Sequence, residues 1–256
     1  MQLTSLSNEK IKQVARLVTS SAERHDRGLF VIEGARLCLD AVLSGISPVE
    51  AYYTPQALEK YPNELEKILL LAKTKYEITE QLAEKISDTK SPQGIFTVNE
   101  IWNTNDYIID KRGRYIALDG IQNPDNLGAI SRTAEALGYD GLIIGGGCDI
   151  YNPKAMRAAM GSLFRLPTFR CNNLAFYLSK CEIGNMIGTV PDKTAEKITE
   201  YSSKGGFVLV IGNEGNGISD AVLKICNKKL TIPMRGRAES LNAAAAASIC
   251  MWELSK

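Results

Sequence analysis

From residue 115 onward the chain alternates short strand-like segments with stretches of helical periodicity. The strand candidates fall at 115–119, 141–145, 185–190, 207–212 and 229–233, and the central ones, GLIIGG and FVLVIG, are unbroken apolar runs. Continuous apolar runs are expected where both faces of a parallel sheet are covered, so these segments are predicted as its strands. Helices are predicted around 128–137, 153–160, 195–201, 219–226 and 241–254, which gives an α/β domain over 114–256. Residues 1–98 repeat the alternation on a smaller scale. Ser7 is the predicted cap of a helix with Ile11, Val14, Leu17 and Val18 on one face. Gly28 precedes the strand-like run LFVI, and Gly34 leads into a helix carrying Leu37, Leu39, Ala41, Val42 and Leu43 that ends at Gly45. Further strands are predicted at 49–53, 76–78 and 94–98, making this a small α/β module. The polar stretch NEIWNTNDYIIDKRG, 99–113, is the predicted linker.

Composition changes this picture little. With 45% hydrophobic and 23% charged residues the chain has the balance of a soluble globular protein. Cys38, Cys148, Cys171, Cys181, Cys226 and Cys250 contain no CxxC pair, which fits reduced thiols in a cytoplasmic protein. His25 is the only histidine, so no metal site is expected. The start, MQLTSLSNEKIKQ, lacks a signal-peptide core, and the longest apolar runs, 68–72 and 243–247, are too short to span a membrane. The net charge of +1 is uninformative, but its distribution is not. Lys154, Arg157, Arg165 and Arg170 share one acid-free run, and Lys224, Lys228, Lys229, Arg235 and Arg237 share another. Such runs suit either nucleic-acid phosphates or an ordinary solvated face.

Ligands of open α/β sheets bind at the carboxyl ends of the strands, and three loops there carry more chemistry than a connection needs. In LDGIQNPDNLGAISRTAEALG, 118–138, a strand is predicted to end at Asp119 and a helix to start near Gly128. Asp125 or Asn126 would cap that helix, with Pro124 setting the loop. Arg132, placed one turn inside, opposes the helix dipole and is better suited to holding an anion such as an RNA phosphate. The loop VIGNEGNGIS, 210–219, spaces Gly212, Gly215 and Gly217 as GxxGxG, which is neither the dinucleotide fingerprint nor a Walker loop. Its Glu214 alone would serve equally as a solubilising carboxylate. The third segment, IPMRGRAESLNAAAAASICMWEL, 232–254, has Ser240 as predicted helix cap and Asn242 in the first turn. Its alanine run serves either close packing or helix propensity.

Together, LDGIQNPDNLGAISRTA, VIGNEGNG and IPMRGRAESLN resemble the three signature motifs of the SpoU (TrmH-type) RNA ribose 2′-O-methyltransferases of the SPOUT class, in order and spacing. The N-terminal segments GLFVIEGARLCLDAV and SPQGIFTV resemble the substrate-binding extension of that family, whose fold is like small RNA-binding ribosomal proteins. The resemblance implies a parallel α/β sheet with a C-terminal trefoil knot, preceded by a small α/β RNA-binding domain. It implies S-adenosyl-L-methionine as cofactor, held through backbone groups of Gly212, Ile232 and Leu241, with Thr189, Glu214 and Met234 nearby. Asn126, Arg132, Glu214, Ser240 and Asn242 match the family's catalytic and ribose-positioning residues. Asn213 departs from the pattern, standing where a small residue is commoner. A homodimer acting on structured RNA follows, ribosomal RNA being favoured over transfer RNA, with no DNA or membrane partner. Two alternatives remain at this point: a non-catalytic RNA-binding or assembly factor with the same fold, and a nucleotide-dependent oxidoreductase, which would need the missing GxGxxG loop.

Overall fold

The computed structural model describes residues 1–102 and 109–256, and the part of the predicted linker at 103–108 lies outside them. The chain forms two compact units, one made of residues 1–102 and 151–164, the other of the remaining described residues.

The first unit contains β1 (Gln2–Leu3), α1 (Glu9–Thr19), α2 (Ser21–Arg27), β2 (Leu29–Glu33), α3 (Ala35–Leu43), β3 (Glu50–Tyr53), α4 (Pro55–Lys60), α5 (Pro62–Leu71), β4 (Thr74–Ile78), α6 (Glu80–Ile86) and β5 (Ile95–Glu100). Its strands lie in the order β1-β4-β3-β5-β2, with β5 antiparallel to both neighbours. The predicted α1 face, Ile11, Val14, Leu17 and Val18, packs with Val31, Tyr52, Phe96 and Val98 of the sheet and Leu82 and Ile86 of α6. The cap of α1 is Asn8 rather than Ser7: the helix begins at Glu9, and the Asn8 side chain accepts from Lys10 N–H at 2.9 Å. In α3, Ala35, Cys38, Ala41 and Val42 form the buried face, and Leu43 is exposed.

The second unit begins with β6 (Arg114–Asp119), α7 (Pro124–Ala136) and β7 (Gly141–Gly145). Helices α8 (Pro153–Ala159) and α9 (Ser162–Arg165) follow. Residues 151–164 pack as part of the first unit, where Tyr151 lies 4.9 Å from Phe30 and 4.7 Å from Trp102 between ring centroids. The second unit resumes with β8 (Thr168–Cys171), α10 (Leu174–Lys180), β9 (Asn185–Thr189), β10 (Glu196–Lys197), β11 (Phe207–Gly212), α11 (Asp220–Leu223), β12 (Lys228–Thr231) and α12 (Ala243–Leu254). Its seven strands are all parallel, in the order β10-β12-β9-β11-β6-β7-β8. Every carboxyl end therefore reaches the same edge, with those of β12, β9, β11 and β6 side by side.

The second unit departs from expectation at three places. The segment predicted as a helix at 195–201 is the short edge strand β10, paired with β12, and one 3-10 turn at Ile198–Glu200. Helix α7 starts at Pro124, four residues before Gly128, because Asn123 accepts from Asp125 N–H at 2.8 Å and proline suits the first helical position. Neither Asp125 nor Asn126 is its cap, and Arg132 lies two turns inside, so the dipole argument for it lapses. Helix α12 starts at Ala243, capped by Asn242 instead of Ser240. No helix of the described residues is long and apolar enough to cross a membrane.

Strand β11 is the spine of this unit, since Val208, Leu209 and Val210 have no exposed surface and its neighbours lie on both sides. Leu209→Ala leaves a cavity that collapses poorly between two paired strands and costs about 2–5 kcal/mol. A urea titration followed by circular dichroism measures it, and a loss under about 1 kcal/mol contradicts this placement.

Candidate active site

The carboxyl ends of β6 and β11 are in register, Asp119 opposite Gly212. Asp119 Oδ2 accepts from Ser219 N–H at 2.7 Å and so anchors the far end of the turn that follows β11. Asn213 builds the near end. It exchanges both backbone hydrogen bonds with Gly217, at 2.9 Å each. Its Oδ1 accepts from Gly215 N–H at 2.9 Å and Asn216 N–H at 3.1 Å, while its Nδ2 donates to Gly120 O at 2.7 Å. The turn closes so tightly that a Cβ on Gly212 would overlap the peptide joining Gly217 to Ile218, and Gly217 takes a φ of +69° that suits only glycine without strain.

This turn presents Glu214 to the start of α7. Its carboxylate accepts from Gln122 N–H and Asn123 N–H, both at 3.1 Å, and from Asn126 Nδ2 at 2.9 Å. A negative charge there also meets the positive end of the helix dipole. Asn126 is 5% exposed, and its Oδ1 accepts from Asn242 Nδ2 at 2.9 Å. Asn242 Oδ1 in turn accepts from Ala244 N–H and Ala245 N–H at 2.9 and 3.2 Å. One direction of donation runs through the whole chain. A carboxylate only accepts and helix N–H groups only donate, so both amides have their orientations fixed from the ends.

Burial raises the Glu214 carboxyl, but the hydrogen bonds from Asn126 and from the N–H groups of Gln122, Glu214 itself and Asn123 together outweigh it. Its pKa lies below the ordinary carboxylate value, and Glu214 is an anion at neutral pH. Thiols beside the strand ends play no nucleophilic part at that pH: burial pushes Cys226 and Cys171 up to about 11 each.

The remaining expected residues lie at the ends of β9 and β12, ahead of α12 and on α7. Thr189 ends β9 and donates from Oγ1 to Val210 O at 3.0 Å, tying β9 to β11. Ile232 and Met234 follow β12 and are half-buried, while Ser240 and Leu241 are exposed just before Asn242. Among the described residues, none of residues 232–241 makes a hydrogen bond or ion pair, so the peptide groups of Ile232, Met234 and Leu241 are open to a ligand. Arg132 is exposed and joined to none of these groups by a hydrogen bond among the described residues. It stands about 120° around α7 from Asn126. Of the acid-free runs, Arg157 pairs with Asp88, Arg165 with Glu135 at 2.9 Å, Arg170 with Asp149 at 3.9 Å and Lys228 with Glu196 at 3.3 Å. Sequence reasoning missed Asp119 and the building role of Asn213. The signal for the second was an asparagine opening a glycine turn, where its side chain bonds the backbone two residues on.

A profile of the SpoU rRNA Methylase family matches residues 113–252, a span that contains every group of this hydrogen-bonded chain. The chain belongs to the SpoU rRNA methylase family. A profile of the MRM3-like substrate binding domain matches residues 8–97. Among SpoU relatives, the 23S rRNA (guanosine(2553)-2′-O)-methyltransferase RlmP of Bacillus subtilis is 32% identical over 256 residues, covering 99% of this chain and 98% of its own. The solved SpoU methyltransferase AviRb from Streptomyces viridochromogenes, in complex with AdoMet, is 26% identical and superposes with a TM-score of 0.85 over 97% of each chain. An AdoMet-bound rRNA methyltransferase from Sinorhizobium meliloti is 28% identical, with a TM-score of 0.86 over 99% of this chain and 96% of that one.

Because the folded pKa of Glu214 is depressed, its contribution to stability is full above the unfolded value and fades as pH falls through the folded one. Glu214→Gln therefore lowers the urea midpoint at pH 7, and the gap from wild type narrows as pH falls below the carboxylate range. A gap that stays constant across that range refutes the anionic latch.

Proposed function

We propose that this chain methylates the 2′-hydroxyl of a ribose in RNA, with ribosomal RNA as the substrate and S-adenosyl-L-methionine as the donor. The observation that carries this is the Glu214–Asn126–Asn242 chain, which ties the three SpoU loops together at the carboxyl edge of the sheet. The names of RlmP and AviRb's AdoMet complex support it.

The residues fit the donor. An adenosine with an amino-acid tail needs peptide donors and acceptors flanked by apolar surface. The unbonded peptides of Ile232, Met234 and Leu241 and the side chains of Met234 and Leu241 offer both. We assign cofactor contacts to Gly212, Ile232 and Leu241, with Thr189, Glu214 and Met234 alongside. When bound, S-adenosyl-L-methionine supplies a methyl group already activated on a sulfonium. What is left to the protein is to orient the ribose and ease loss of its hydroxyl proton.

Asn126 is buried and bridges Glu214 and Asn242, so its part is to hold both in place. Ser240 and the second N–H of Asn242 are available to hydrogen-bond the ribose. Arg132 binds the phosphate next to that ribose and stabilises the developing oxyanion. Its guanidinium stays protonated to about pH 12 or above, so the proton leaves to the phosphate or to water. The single histidine, His25, lies in the N-terminal unit and takes no part. The N-terminal unit selects the RNA, and the methyltransferase lies within 114–256, with a trefoil-knotted C-terminal chain; β5 runs to Glu100, so the expected link at 99–113 starts only after it. A cytoplasmic location accompanies this substrate and the six free thiols.

The assay is transfer of labelled methyl from S-adenosyl-L-methionine to unmodified ribosomal RNA. No transfer by the wild type rejects the function. Arg132→Ala abolishes turnover while calorimetric cofactor affinity stays within a few-fold, and activity above about a tenth of wild type removes Arg132 from the chemistry.

We further infer that a second copy of the chain covers α12. Its buried side carries Ala244, Ala247, Cys250, Met251 and Leu254, while Ile249, 42% exposed, and Trp252, 60% exposed, line another. These two large apolar side chains, three residues apart, share one exposed face of the helix that a second copy would cover. Trp252→Glu yields a monomer by sedimentation if this face is the interface. An unchanged dimer, or a monomeric wild type, rejects that role.

A further inference from the structure

The hydrogen-bonded chain of the site contains one carboxylate and two neutral amides, so nothing in it attracts a polyanion. RNA must be held by cations placed beside it. The acid-free run around residue 160 is a poor supplier, since Arg157, Arg165 and Arg170 each face an acid from elsewhere in the fold. The loop from Ile232 to Leu241 is different. It leaves β12, ends on Asn242 and carries Arg235 and Arg237 on either side of Gly236. Both arginines are exposed, and neither has an ion pair or hydrogen bond among the described residues. The loop's own acid, Glu239, is exposed and leaves them unpaired.

Two features make these cations more than a solvated surface. Arg237 stands five residues before Asn242, so no more than about 18 Å of extended chain separates it from the site. The guanidinium fork also matches a phosphate with two parallel hydrogen bonds, a geometry lysine lacks. Resting on the RNA methylation proposed above, we propose that Arg235 and Arg237 form a two-pronged grip on the RNA backbone flanking the target ribose. The grip fixes where the strand lies over the site and carries no information about base identity. Arg132 acts on the phosphate at the reacting ribose, and the loop arginines act on its neighbours.

The test compares binding of wild type and the double variant Arg235→Gln/Arg237→Gln to unmodified 23S ribosomal RNA transcribed in vitro, across a salt series. Loss of two phosphate contacts makes the log–log salt slope shallower by about 1.4, at about 0.7 per contact on single-stranded RNA. Affinity at 150 mM salt (roughly physiological) falls at least about ten-fold, and calorimetric affinity for S-adenosyl-L-methionine is unchanged, which also shows that the variant is folded. Lys111→Gln/Lys204→Gln removes the same charge near the amino ends of β6 and β11, at the opposite edge of the sheet, and leaves the slope as in wild type. An unchanged slope in the arginine variant, or an equal drop in the lysine variant, overturns the grip. If the wild type methylates the RNA in either case, the enzyme function stands and only the grip fails. A wild type that transfers no methyl to RNA overturns the function on which the grip rests.

Discussion

The carboxylate of Glu214 and the donors converging on it hold this site together. Two backbone N–H groups and one side-chain amide, from residues about ninety positions earlier in the chain, end on its two oxygens. Each bond does two things at once. It satisfies a donor at or just ahead of the start of α7, from the backbone of Gln122 and Asn123 or the side chain of Asn126, and it draws the β11 loop against the β6 loop. Because Asn126 is gripped from one side, its carbonyl must face the other, and there it receives Asn242 and with it the start of α12. The position of the last helix is thus relayed, through two amides, from the single charge of Glu214.

That relay works only because the strands beneath it are parallel and apolar on both faces. Had any of β6, β9, β11 or β12 run antiparallel, its loop would emerge at the far edge of the sheet. The turn after β11 adds a second requirement, since Gly212 has no room for a side chain and Gly217 needs a left-handed backbone. Asn213 meets a third by satisfying three backbone groups with a single side chain. A smaller residue there would leave those groups to water or to a ligand.

The strands of the second unit were legible because burial on both faces writes an unbroken apolar run, as in FVLVIG. The edge strands were not. TFRC at β8 mixes polar and apolar residues, and Glu196–Lys197 sits in a stretch, TAEKITE, whose composition favours helix although pairing with β12 decides otherwise. The caps were displaced for a related reason. Ser7, Asn8, Asn123, Asp125, Ser240 and Asn242 are all good capping types within a few positions of each other, and local chemistry cannot choose between neighbours. Contacts made across the fold choose, as the bond from Asn242 to Asn126 does for α12. The three loops were recognisable from spacing and resemblance, whereas their joining through Glu214 depends on approach in space and left no trace in local pattern. The fate of the arginine run was equally hidden, because Asp88, Glu135 and Asp149, the acids that face it, lie outside the run itself.

The packing of residues 151–164 has a bearing on how such a protein is inherited. The N-terminal unit is not a bead on a string: its aromatic centre, Phe30 and Trp102, is completed by Tyr151, supplied after the chain has already laid down two strands of the other sheet. A module of discontinuous stretches that is joined only at the linker arrives without its last piece, and the receiving chain has to supply an equivalent of Tyr151. Change in such an architecture is therefore expected to run by point substitution within the unit, with the borrowed segment and its aromatic seat changing in step.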